Sequence, residues 1–239
     1  MGKSDLKKIL TSPLRPQLLP EKYLELLTES FRNASDPLRA EKQMAYMRHQ
    51  FEFMGLAAST WYPMTKKIFA EHGMYSGNDL KKFAALCYDQ PFRELHYVAI
   101  EMMQRMLPGQ AASWINVLEK YILTDSWWDT VDWLAKLVGI HFKNYPDLQY
   151  SYCYQWIDSS NIWLQRAAII HQLFYREKTD EKLLFDLITK RAESKEFFIR
   201  KASGWALRQY SKTNPESVKK FVKSASLSPL TRKEALRLM

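Results

Sequence analysis

At 239 residues the chain is long enough to bury a substantial core without covalent staples, and its two cysteines, Cys87 and Cys153, are too few and too far apart for a zinc cluster. A formal charge of +9 with a pI near 9.4 favours a polyanionic partner, and 14% aromatic residues set stacking surfaces beside that charge, although many basic proteins bind no nucleic acid. No apolar run is long enough to span a bilayer, and the opening MGKSDLKKIL lacks the apolar stretch and cleavage site of a signal peptide, so a soluble, cytoplasmic protein is expected, with at most one disulfide.

Seven glycines, no alternating strand pattern and no Asn-Gly or Asp-Gly turn argue against a sheet and for an all-α chain. The first helix is expected over residues 20 to 33, opened by Pro20 and carrying Tyr23, Leu24, Leu26, Leu27 and Phe31 on one face. Asp36-Pro37 starts a second, over 37 to 53, in which Met44, Met47, Phe51 and Met54 fall at helical spacing and read as core, with Tyr46 beside the stripe. Further helices follow at about 59 to 72, 78 to 89, 91 to 106 and 110 to 123, with breaks so short that neighbours must pack antiparallel.

Beyond these, the segments starting at Ile162 and Phe197 superpose at a period of roughly 35 residues, within the range of paired-helix solenoids. The helices beginning near Trp127, Asn161 and Glu196 hold corresponding places in successive repeats. In such a solenoid the inner helices line a concave surface of a size that fits a duplex. The expected organisation is a basic leader over residues 1 to 19 and a single repeat domain over 20 to 239, with no linker polar enough to mark a boundary.

Three places on these helices carry chemistry. Ser126 to Asp132 (SWWDTVD) sets two indoles and two carboxylates within two helical turns, with Trp128 and Asp132 on one face and Asp125 or Ser126 available as cap. Asp129 suits the positive end of the helix dipole, but Asp132 lies deeper, where a charge needs solvent or a cationic partner. Arg166 sits in the apolar run WLQRAAII and must find a carboxylate, a carbonyl or a phosphate; a structural ion pair would satisfy it. Lys201, Trp205, Arg208 and Lys212 recur at steps of four, three and four, three cations around an indole, which is either a solvated face or what phosphate contacts require.

SWWDTVD, followed by NIWLQRAA at Asn161 to Ala168 and KEFFIRKASGW at Lys195 to Trp205, resembles the AlkD family of alkylpurine DNA glycosylases, built from HEAT-like repeats. The likeness runs from about Pro20 to near the C-terminus. It implies a right-handed superhelical solenoid with a concave DNA-binding groove, and a monomer that hydrolyses the N-glycosidic bond of cationic N3- or N7-alkylated purines in double-stranded DNA. It further implies that Tyr46, in Met44-Ala45-Tyr46-Met47, is the active-site tyrosine, and that Arg166 joins Trp128, Asp132 and Trp205 in the cleft. Asp132 would then stabilise the oxocarbenium-like sugar and orient water, while the two indoles face the cationic nucleotide. The base would be gripped without being drawn into a deep reading pocket.

Neither a GxxxxGK[ST] loop nor HExxH is present, and the five histidines have no metal-ligand spacing, so no metal and no cofactor is expected. His171 reads as a partly buried structural histidine. No lysine is flanked as a Schiff-base nucleophile, so base removal without strand cleavage is expected. A silent DNA-binding repeat protein and a protein-interaction solenoid are the competing readings. Asp132 beside Trp128 separates the first from catalysis, and a steep salt dependence of DNA binding separates it from the second.

Overall fold

The computed structural model describes residues 18–239; of the leader assigned to residues 1 to 19, all but the last two lie outside the described residues. Among the described residues the regular elements are thirteen α-helices and three short 3-10 turns, and the sole pairing of extended backbone is an isolated bridge between Glu52 and Phe92. The all-α reading holds. The chain divides into two compact units, one ending at Gln110 and the other beginning at Ala111.

The first unit holds α1 (Pro20–Asn33), α2 (Pro37–Tyr46), α3 (Ala58–His72), α4 (Gly77–Tyr88) and α5 (Arg93–Met106). Pro20 sits in the first turn of α1, where its missing N–H costs nothing, and Tyr23, Leu27 and Phe31, four apart, are wholly buried against α3 and α4. Asp36 caps α2 by accepting from the Arg39 amide.

The expectation of one helix over 37 to 53 is corrected. α2 stops at Tyr46, and Arg48 and His49 both adopt left-handed backbone at φ 55°. The cause lies downstream. The buried Glu94 carboxylate accepts from the amides of Met54, Gly55 and Leu56 at 3.1, 3.0 and 3.1 Å, and the Arg93 guanidinium lies 3.7 Å from the centre of the Phe51 ring. Three hydrogen bonds to one buried carboxyl group satisfy these amides in a turn that leaves the helical path. Gly55, at φ 86°, is required here: a Cβ would stand 2.0 Å from the Asp36 carbonyl oxygen. Met47 and Met54 are buried by this turn and not by a helical stripe, while Met44 and Phe51 remain half-buried.

The second unit holds α6 (Ile115–Leu123), α7 (Trp128–Asn144), α8 (Asp147–Asp158), α9 (Ile162–Ile170), α10 (Glu181–Lys190), α11 (Phe197–Tyr210), α12 (Pro215–Ser224) and α13 (Pro229–Ala235). The helix expected over 110 to 123 is broken at its start into a 3-10 turn, Ala112–Trp114, before α6 begins. α7, α9, α11 and α13 pack each on the next as one layer, with α8, α10 and α12 along its other side. Contacts repeat with the period read from the sequence: Asp132 to Arg166, Asp158 to Lys190 and Lys201 to Glu234 are ion pairs spanning 34, 32 and 33 residues. Cys87 and Cys153 are both free and buried, so no disulfide joins them.

Candidate active site

α7 begins differently from the expected cap. Trp127, in extended backbone, occupies the cap position without a side-chain bond, while the Ser126 hydroxyl turns back to donate to the Ile122 carbonyl at 2.6 Å. Asp125 stands at φ 46°. Trp128 is therefore the first residue of α7, and Asp132 projects one turn further along the same side.

The facing helix is fixed by a cap of the expected kind. The Asn161 side chain accepts from the amides of Trp163 and Leu164, starting α9 so that Arg166 lies about one turn in. Arg166 meets Asp132 as a fork: Nε donates to Oδ1 at 2.6 Å and Nη2 to Oδ2 at 2.8 Å, while Nη1 donates to the Phe198 carbonyl at 2.7 Å. One guanidinium thus ties α7 to α9 and both to α11. The requirement that Arg166 find a partner and the requirement that Asp132 find a cation are met by each other.

The Arg166 side chain is 6% exposed and that of Asp132 19%. Burial pushes the Asp132 carboxyl above the usual carboxylate range, with the nearby Asp129 adding to the shift and the Arg166 bonds opposing it. The Asp132 carboxylate therefore keeps a small solvent-exposed edge, with its position set by the buried Arg166.

Around the pair stands a cluster of rings. Trp127 lies 5.7 Å from Trp163 and edge-on to Phe198 at 5.2 Å, Trp163 lies 4.9 Å from Phe198, and the guanidinium carbon of Arg166 stands 5.8 Å from the Phe198 ring centre. Sequence reasoning left Trp127 and Phe198 without a task. Their shared place at the start of corresponding repeat helices was the available signal.

Of the remaining residues singled out, Trp128 on α7 and Trp205 on α11 are half-buried. Tyr46 belongs to the first unit, at the last position of α2, and is 70% exposed. The cation stripe is not a simple solvated face: Lys201 and Arg208 both bind Glu234 of α13, at 2.7 and 2.5 Å, while Lys212 is exposed and bonded to Gln209. Glu234 was missed altogether.

His171 is structural, and it is buried outright where the sequence suggested partial burial. Its Nδ1 donates to the Ala168 carbonyl at 2.7 Å, which leaves Nε2 to accept from Gln149, and burial pushes its pKa down to about 4. Among the described residues no group of three or more His, Cys, Asp or Glu side chains is placed to hold a metal ion, and no helix is long and apolar enough to cross a membrane.

The structure superposes on a predicted DNA alkylation repair enzyme from Enterococcus faecalis with a TM-score of 0.80 at 32% identity, covering 86% of this chain and 96% of the other. AlkD2 from Streptococcus mutans superposes with a TM-score of 0.63 at 19% identity, over 92% and 99% of the two chains, and supports the helical-repeat fold. The protein smu.31 from Streptococcus mutans UA159 does the same, at 0.61 and 18%, over 93% and 100%. No curated protein matches. Residues 27–239 match the family described as DNA alkylation repair enzyme, and that extent, with the Enterococcus likeness, makes the chain a member of the DNA alkylation repair enzyme family.

Proposed function

We propose that the protein is a monofunctional DNA glycosylase that removes cationic N3- and N7-alkylpurines, such as 3-methyladenine and 7-methylguanine, from duplex DNA. The observation that carries this reading is the Asp132 carboxylate, held in a fork by Arg166 and still open to solvent on one side. A carboxylate on a DNA-facing surface weakens simple binding, because it repels phosphate. It is favourable where it meets positive charge.

Arg166 meets the carboxylate from its buried side, and the substrate brings a second positive charge to its exposed side. An alkylated purine is a cation and leaves as a neutral base, so breaking C1′–N9 moves positive charge onto the deoxyribose. Asp132 stabilises the oxocarbenium-like sugar and orients the attacking water. As the water oxygen bonds C1′, its proton passes to Asp132 or to solvent, and the base departs with the electrons of the broken bond. Trp128 and Trp205 offer indole faces to the sugar and the base, roughly 0.5 to 2 kcal/mol each depending on desolvation. Lys201, Arg208 and Lys212 meet phosphates.

The test is release of free 7-methylguanine and 3-methyladenine from methylated duplex DNA. Release without strand cleavage is the expected result; DNA binding without release would leave a non-catalytic DNA-binding repeat protein. The pH dependence has a defined sign. Asp132 works ionised, and burial raises its pKa, so the rate should fall on acidification at a pH above that of an ordinary carboxylate. Stability runs the other way for this group: a raised folded pKa favours the folded state below the ordinary value, and that contribution is lost as pH rises through the raised one. A rate profile flat down to the ordinary carboxylate range would count against Asp132 as the ionised group.

A further inference from the structure

Lys201 and Arg208 lie two turns apart on one side of α11 and converge on a single anion. Lys201 Nζ stands 2.7 Å from one Glu234 oxygen and Arg208 Nη1 2.5 Å from the other. Glu234 arrives 33 residues after Lys201, on α13, and its closeness is built in. A Cβ on Gly204 would lie 2.5 Å from the Glu234 Cβ and 2.9 Å from the Thr231 carbonyl oxygen, so only glycine lets α13 seat so deeply on α11. The Thr231 hydroxyl also donates to the Arg200 carbonyl at 3.3 Å.

We infer that Glu234 is an internal stand-in for a DNA phosphate, occupying two of the cations on the Trp205 face and thereby setting the affinity for duplex. Two acceptor oxygens bearing negative charge, bridged by a lysine and an arginine, are what a backbone phosphate presents. The bridge is partly open: the Lys201 side chain is 36% exposed and that of Glu234 13%. A phosphate therefore reaches Lys201 first, and each cation it takes must be taken from Glu234. The consequence is a weaker hold on undamaged DNA than the count of basic residues would give. This inference rests on the DNA reading above, but not on glycosylase chemistry.

The reading of Glu234 as merely a tie between α11 and α13 makes the opposite prediction, so the two separate experimentally. For Glu234→Gln, affinity for undamaged duplex should rise about tenfold at about 0.1 M salt, and the slope of log K against log salt should steepen by one to two phosphate contacts, each worth roughly 0.9. Adding Lys201→Gln to that variant should remove most of the gain. With methylated duplex, KM should fall while kcat does not rise. Unchanged or weaker binding with an unchanged slope overturns the inference.

A second measurement uses the parent protein. Duplex binding should accelerate amide hydrogen exchange in α13, because its anchor is released; slower or unchanged exchange would contradict displacement of Glu234. If neither the parent nor Glu234→Gln binds duplex at low salt, the inference falls together with the DNA reading. Should both bind as expected and release no base, the inference stands and the glycosylase reading falls.

Discussion

Asp132→Asn should lower the rate of base release by about a hundredfold to a thousandfold at matched DNA occupancy, the scale of removing one well-placed electrostatic group, about 3 kcal/mol. The amide keeps the shape of the carboxylate and one acceptor oxygen. It loses the charge proposed to meet an oxocarbenium-like sugar, and it sets an N–H group against one arm of the Arg166 fork, which had accepting partners at 2.6 and 2.8 Å. Arg166 is buried, so its charge is then only partly matched, and breaking a buried pair of this kind costs on the order of 3 to 5 kcal/mol at its worst. Two readouts separate chemistry from folding. Thermal unfolding reports the loss of the fork, and single-turnover release with saturating enzyme reports the loss of catalysis. A variant that stays folded, binds methylated duplex and releases base within a fewfold of the parent rate would remove Asp132 from the mechanism.

How far the pair could be read in advance follows from its physics. An arginine inside WLQRAAII needs an acceptor, and an aspartate beyond the first turn of α7 needs a cation; both statements hold for any fold. The 35-residue period placed α7 and α9 in corresponding positions, which brought the two requirements to adjacent helices. Position on the helix set Asp132 apart from Asp125, a candidate cap, and Asp129, suited to the helix dipole, but only the resemblance gave Asp132 a catalytic role. The end of α2 was not legible, because Arg48 and His49 are ordinary residues in left-handed backbone, and the carboxylate that holds the following turn, Glu94, lies about forty positions away. Glu234 was hidden for a similar reason. Lys201, Trp205 and Arg208 form a face that looks solvated until the next repeat is added, and the seven-residue helix that supplies the anion has too little pattern to announce its packing. Period and local polarity survive in a sequence; long-range closure by a single side chain does not.

The other large effect lies in the packing that sets the Asp132–Arg166 distance. Gly139→Ala should destabilise the protein by about 2 to 4 kcal/mol, even though alanine is the better helix former by about 1 kcal/mol. Gly139 lies in the interior of α7, and a Cβ there would stand 2.1 Å from the His171 carbonyl oxygen and 3.2 Å from its carbon, with Tyr175 Cε1 at 3.3 Å. The first two atoms are backbone at the end of α9 and cannot rotate aside. The Tyr175 hydroxyl, donating to the Gly139 carbonyl at 2.6 Å, pins the same point from the other side. α7 can accommodate the methyl only by moving away from α9 by about an ångström, since contacts under about 3 Å are not tolerated. The melting temperature should fall by roughly 5 to 15 °C for a chain of this size. Because Asp132 rides on α7 and Arg166 on α9, the same displacement loosens the fork, and a misplacement of that size can cost about a hundredfold in rate. Base release by Gly139→Ala, measured below its melting transition with all catalytic groups present, should therefore be impaired as well. A variant as stable and as active as the parent would mean that the approach of α7 to α9 does not set the geometry at Asp132.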